Sequence, residues 1–198
     1  MLCFTVSAPI LNRSGHPMPT PEPQIARLFA HYPPAIAKLG RALRKKLRQR
    51  LQGLNELVYH YASRESLVLS YSPSEAGGEA VCALAIYPRH VHLCFLGGEA
   101  LTKSDPRKLL QGRGRSMRYL VLESLADFDR PEIEVLMSAA LHIAKVQLDA
   151  NSEGAVILKV EAQQQRARQR ATKAARHGST ARTRAARQSG HARGKRSS

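Results

Sequence analysis

Three observations predict an α+β fold, an antiparallel sheet with helices packed on one face. Residues 80–98 hold two apolar runs separated only by Pro88 and Arg89, the pattern of a hairpin with a tight connection. Apolar residues recur at helical spacing over residues 34–51 and again over 131–148. Short segments rich in Val, Leu and Tyr at 54–62, 66–72 and 118–122 suit a pleated surface.

The hairpin is the centre of the prediction. With Pro88-Arg89 as a two-residue turn, Ile86 lies opposite Val91, Leu84 opposite Leu93 and Cys82 opposite Phe95. Strand side chains alternate with period two, so these six share one face. Burying each is worth about 1.5–3 kcal/mol, which makes that face the floor of the core. Ala83, Ala85, His90, His92 and Cys94 fall on the other.

Taken in order, residues 1–23 carry five of the 11 prolines and read as a poorly ordered arm. A short helix is expected over 24–31, stopping at Tyr32-Pro33-Pro34 because residues before proline are pushed out of helical geometry. Pro34 opens the next helix, whose stripe is Ile36, Leu39, Leu43, Leu47 and Leu51. Its other face carries Arg41, Arg44, Lys45, Lys46, Arg48 and Arg50, a candidate phosphate-tracking surface. After the hairpin, Ser104-Asp105-Pro106 signals a helical turn through Leu110. Gly112 to Arg115 makes a flexible link, and Asp129 with Glu132 has the form of a capping box for the last helix, expected to end near 151–154. Residues 155–160 favour a strand, whereas 161–177 favour helix. Domain boundaries follow: an arm over 1–23, an α+β domain over 24–150, a linker or short element over 151–162 and a low-complexity tail over 163–198.

Charge is uneven. The chain has 31 Lys and Arg against 15 Asp and Glu, a net +16. Eleven of those cations, with no acid, fall in residues 163–198, leaving a net of only +5 for the rest. Arg166, Arg168, Arg170, Lys173 and Arg176 begin this run. Its composition gives it nothing to bury, so disorder is expected. Such an arm neutralises phosphates and gains affinity by counterion release without reading sequence. A nucleic acid or another polyanion is the partner it implies. The chain has few aromatics in this run and no membrane-spanning pattern, and the three unpatterned cysteines point to reduced thiols in a cytoplasmic setting.

Two further clusters can carry chemistry. His90, His92 and Cys94 alternate on one strand at roughly 7 Å intervals, enough to offer two or three ligands to zinc or iron. Gly112 to Arg115 with Arg118 places glycines, whose N–H groups approach an anion closely, beside the guanidiniums of Arg113, Arg115 and Arg118. Nucleophile signatures such as GxSxG, HExxH and CxxC do not occur.

Residues 24–148 resemble the YdhG-like domain of unknown function. The match rests on Pro33-Pro34, on ELVYHY at 56–61, on YPRHVHLCFLGGEAL at 87–101 and on DPRKLLQGRGRSMRYLVL at 105–122. Its most specific part is DP…LLxGxGRxxR, which places Gly112, Gly114, Arg115 and Arg118 on the family pattern. The resemblance implies a frataxin-like α+β sandwich and, as an alternative function, iron chaperoning or small-ligand binding. Frataxin-type iron handling uses an acidic helix, whereas this chain carries a basic one, and Tyr61-Ala62 stands where the family has Met-Pro after its tyrosine.

Overall fold

The computed structural model describes residues 21–159. Its centre is the expected hairpin, β3 (Cys82–Ile86) paired antiparallel with β4 (Val91–Leu96). The pairs Cys82–Phe95, Leu84–Leu93 and Ile86–Val91 form as the alternation predicts. The Tyr87 N–H bonds to the His90 carbonyl at 3.0 Å, so Pro88 and Arg89 alone make the turn. Neither has a positive φ, so this is not one of the primed turns that favour Asn-Gly.

Four more strands extend the sheet: β1 (Asn55–Tyr61), β2 (Ser66–Ser72), β5 (Met117–Leu122) and β6 (Val156–Leu158). The order is β5-β4-β3-β2-β1-β6, antiparallel throughout except for the parallel pair β1–β6. One face carries Leu67, Leu69, Leu84, Ile86, Val91, Leu93, Phe95 and Leu120, all in the main core. Over it lie α1 (Glu22–Phe29), α2 (Pro34–Arg50), α4 (Leu125–Phe128) and α5 (Pro131–Ile143). They contribute Ile25, Phe29, Leu43, Leu47, Phe128, Leu136 and Met137 to the same core. A further short helix, α3 (Gly98–Leu101), buries Leu101 there. The structure is therefore an α+β fold with a mostly antiparallel sheet and its helices gathered on one face.

Several local expectations need correcting. The turn expected over 104–110 is not a helix: the Asp105 carboxylate, nearly buried, accepts the backbone N–H groups of Leu109 at 2.9 Å and Leu110 at 2.8 Å and holds the segment as a loop. Asp129 does not cap α5. That N-cap is Arg130 with Pro131 next, and the capping box belongs to α4, between Ser124 and Asp127. The last helix stops at Ile143 rather than near 151. The Lys145 N–H bonds to the His142 carbonyl and the Val146 N–H to the Leu141 carbonyl, both at 3.0 Å, with Lys145 at φ 55. This Schellman closure was invisible in the sequence because no glycine marks it.

The folded unit also runs further than expected. Residues 151–155 lead directly into β6, where the Glu56 N–H bonds to the Ala155 carbonyl at 2.8 Å and Asn55 Oδ1 accepts the Ala155 N–H at 2.9 Å. Gly154 is required at this approach, since a Cβ there would stand 1.7 Å from the Leu54 carbonyl oxygen. The chain divides after Leu158. Of the arm expected over 1–23, Glu22 and Pro23 belong instead to α1, while residues 1–20, like the tail expected over 163–198, lie outside the described residues.

Candidate nucleic-acid interface

Helix α2 puts its cations where the sequence places them, but most of them meet carboxylates. Arg44 donates from Nε and Nη2 to Glu56, each at 2.8 Å, and from Nη1 and Nη2 to Glu22, each at 2.7 Å. Glu56 is 1% exposed and also accepts the Tyr71 hydroxyl at 3.2 Å. It occupies a core-facing position of β1, opposite Tyr71. Burial opposes the charge of Arg44, yet its hydrogen bonds to Glu22 and Glu56 outweigh that and hold its pKa above the ordinary value. The Arg44 hydrogen bond in turn holds the Glu22 carboxyl below its ordinary value. Arg48 reaches both Glu22 and Glu56, Lys46 pairs with Asp129 and Arg50 with Glu134. Four of the six cations thus tie α2 to α1, to β1 and to the ends of α4 and α5.

Arg41 and Lys45 are exposed and have no carboxylate partner among the described residues. Arg41 lies 5.2 Å over the Phe29 ring. Together with Arg44, Arg48 and Gln49 these two line a cavity of about 430 Å³. The surface on this helix that can meet a phosphate is therefore narrower than the sequence suggested, and the missing information was the set of acids from distant parts of the chain.

The link 112–115 runs along the β5 edge of the sheet. Gln111 and Tyr119 exchange backbone hydrogen bonds, at 2.6 and 3.1 Å, and Gly112 follows at φ 93. A Cβ at Gly112 would meet the Tyr119 ring at 3.3 Å. Arg113 is exposed and Arg115 pairs loosely with Glu99 at 3.2 Å. Arg118 turns back to the Gly114 carbonyl at 2.5 Å. The three guanidiniums do not converge on one anion; Arg113 alone points to no partner that the described residues supply.

His90, His92 and Cys94 share the sheet face away from the helices, as alternation requires. Among the described residues, however, no group of three or more His, Cys, Asp and Glu stands where it could hold a metal ion. Cys94 is 5% exposed and packs with Ala83 and Ala85. Burial pushes its thiol up to about 12, which keeps it protonated, whereas a metal ligand must be a thiolate. The imidazoles instead join aromatic rings. His90 stacks on His92 at 4.4 Å, and His92 stacks on Tyr119 at 4.4 Å with the planes 12° apart. Tyr87 packs against both histidines, at 4.8 and 5.1 Å. Burial, with a smaller contribution from the neighbouring His90, lowers the His92 pKa to about 4.

The same face carries Tyr59 and Tyr61 on β1, stacked at 6.1 Å. Between the two aromatic groups lie Val68 and Ser70 of β2 and Ala83 and Ala85 of β3. The sequence showed the histidines and missed their company, because Tyr59 on β1, Tyr87 just after β3 and Tyr119 on β5 come together only through the sheet register.

No family model matches this chain, and neither a search of curated proteins nor one of solved structures finds a similar one. The likeness to YdhG-like domains rests on the residue pattern alone.

Proposed function

We propose that this protein binds nucleic acid without reading sequence, holding the phosphate backbone through the basic run 163–198 with help from exposed cations of the folded domain. One observation carries this reading: eleven cations and no acid in that run, against a net of only +5 over the rest of the chain. A polycation of this density releases condensed counterions from a duplex, and that release is a sequence-independent source of affinity. Arg41, Lys45 and Arg113 are among the domain cations suited to join it, since no carboxylate among the described residues pairs with them. The described helices include none long and apolar enough to cross a membrane.

The test is replacement of Arg166, Arg168, Arg170, Lys173 and Arg176 by glutamine in the full chain. Affinity for generic duplex DNA at low salt is expected to fall by about tenfold or more, given five lost phosphate contacts. An unchanged affinity would contradict a role for the run.

A further inference from the structure

The sheet face away from the helices has a shape that the basic run does not explain. Rows across the sheet follow from the register: Tyr59, Val68, Ala85, His92 and Val121 form one, and Leu57, Ser70, Ala83, Cys94 and Tyr119 the next. Large rings therefore stand on β1 and on β4–β5, and Tyr87, just after β3, stands between them. The small side chains beneath, Ala83, Ala85 and Cys94, are buried, with Tyr87, Tyr119 and Val68 packed over them, so the face presents two ring clusters. One cluster is the column Tyr119–His92–His90 with Tyr87 beside it, and the other is the pair Tyr59–Tyr61.

Both clusters end in an accessible ring. His90 is exposed and forms the open end of its column, and Tyr61 is 36% exposed. A planar base laid on either continues a stack that already exists, which costs little ordering. Cations flank the same region. Arg89 is exposed in the turn beside His90. Arg64 is close enough to Tyr87 for its charge to work against the rise that burial causes in that phenol's pKa. Arg113 follows Gly112, which lies against the Tyr119 ring. Aromatic faces for bases with guanidiniums for the backbone are the two requirements of a single-strand seat, and the pairing is tolerant of sequence because every base has a π face.

We propose that this face seats single-stranded nucleic acid, with bases stacking on the exposed rings of His90 and Tyr61 and Arg64, Arg89 and Arg113 taking phosphates. This rests on the nucleic-acid reading above and adds to it the strand state of the ligand: the basic run holds any polyanion, whereas an exposed ring stacks only on unpaired bases.

Fluorescence anisotropy with a labelled thymidylate dodecamer and a labelled duplex of equal length tests it, using the full chain and the double variant His90→Ala/Tyr61→Ala. Both positions are exposed, so the variant is expected to keep the thermal midpoint of the parent. Affinity for the thymidylate probe should fall by about tenfold or more, at 1–3 kcal/mol per lost stack, while duplex affinity stays unchanged. Equal loss on both probes, or no loss on either, overturns the single-strand seat and leaves the basic run as the binding element. Binding of neither probe by the parent chain overturns the nucleic-acid reading itself. Sedimentation showing that the parent is a dimer and the variant a monomer would also overturn the seat, since a second copy would then occupy the face. Should the variant melt early, Arg89→Gln with Arg64→Gln repeats the comparison without touching a ring.

Discussion

At the scale of single residues, Glu56 is the side chain on which most depends. It is a carboxylate at a core position, and it is tolerated because Arg44 donates to both of its oxygens and the Tyr71 hydroxyl donates to one. Removing one partner of a buried pair leaves the other uncompensated, which costs far more than the pair contributes. Glu56→Gln should therefore destabilise the fold by about 3 kcal/mol, seen as a lower urea midpoint with an unchanged slope. Arg44→Met combined with Glu56→Leu should cost clearly less than the two single changes added together, because neither charge is then stranded. His92 offers a second test. Its folded pKa, about 4, lies below the ordinary 6.5. Between those values the unfolded chain takes a proton that the folded one refuses, so stability declines as pH falls from about 6.5 toward 4. His92→Phe keeps a ring against Tyr119 and removes the proton, so it should flatten the urea midpoint across that interval. Glu22 acts lower: its pKa is held below 4.5, so its contribution is present above that value and is lost as pH falls further.

At the scale of elements, what local chemistry encodes was legible and what distant partners decide was not. The β3–β4 register followed from alternation alone, whereas α1, expected over 24–31, runs Glu22–Phe29 and ends shortly before Tyr32-Pro33-Pro34. The end of α5 was missed because Lys145 takes the left-handed position that glycine usually marks. A lysine there carries a steric penalty, so Lys145→Gly should stabilise the protein by about 1 kcal/mol, measured by urea denaturation. The α2 face was legible as six cations, but its pairing with Glu22, Glu56, Asp129 and Glu134 depends on how α1, β1, α4 and α5 are brought beside it. Glu56 did leave a trace in the sequence, as an acid two positions before Val58, at the same parity of a strand that faces the core. The aromatic face away from the helices had no such trace, since it is assembled across strands.

For the whole molecule, charge is divided unequally: residues 1–162 carry a net of +5, whereas the run that follows holds eleven cations and no acid. The folded unit includes β6, which bonds to β1 and completes the sheet. A chain cut after Ala150 should therefore lose stability, whereas one cut after Ala162 should keep its thermal midpoint, by differential scanning fluorimetry. That second truncation permits the most direct measurement of the central claim: the affinity of generic duplex DNA against salt, for the full chain and for the chain ending at Ala162. With about 6–8 phosphates neutralised by the basic run, log affinity should fall against log salt with a slope of roughly −5 to −7, and truncation should remove most of that slope. A steep slope that survives truncation, or no binding by the full chain at low salt, would contradict the account.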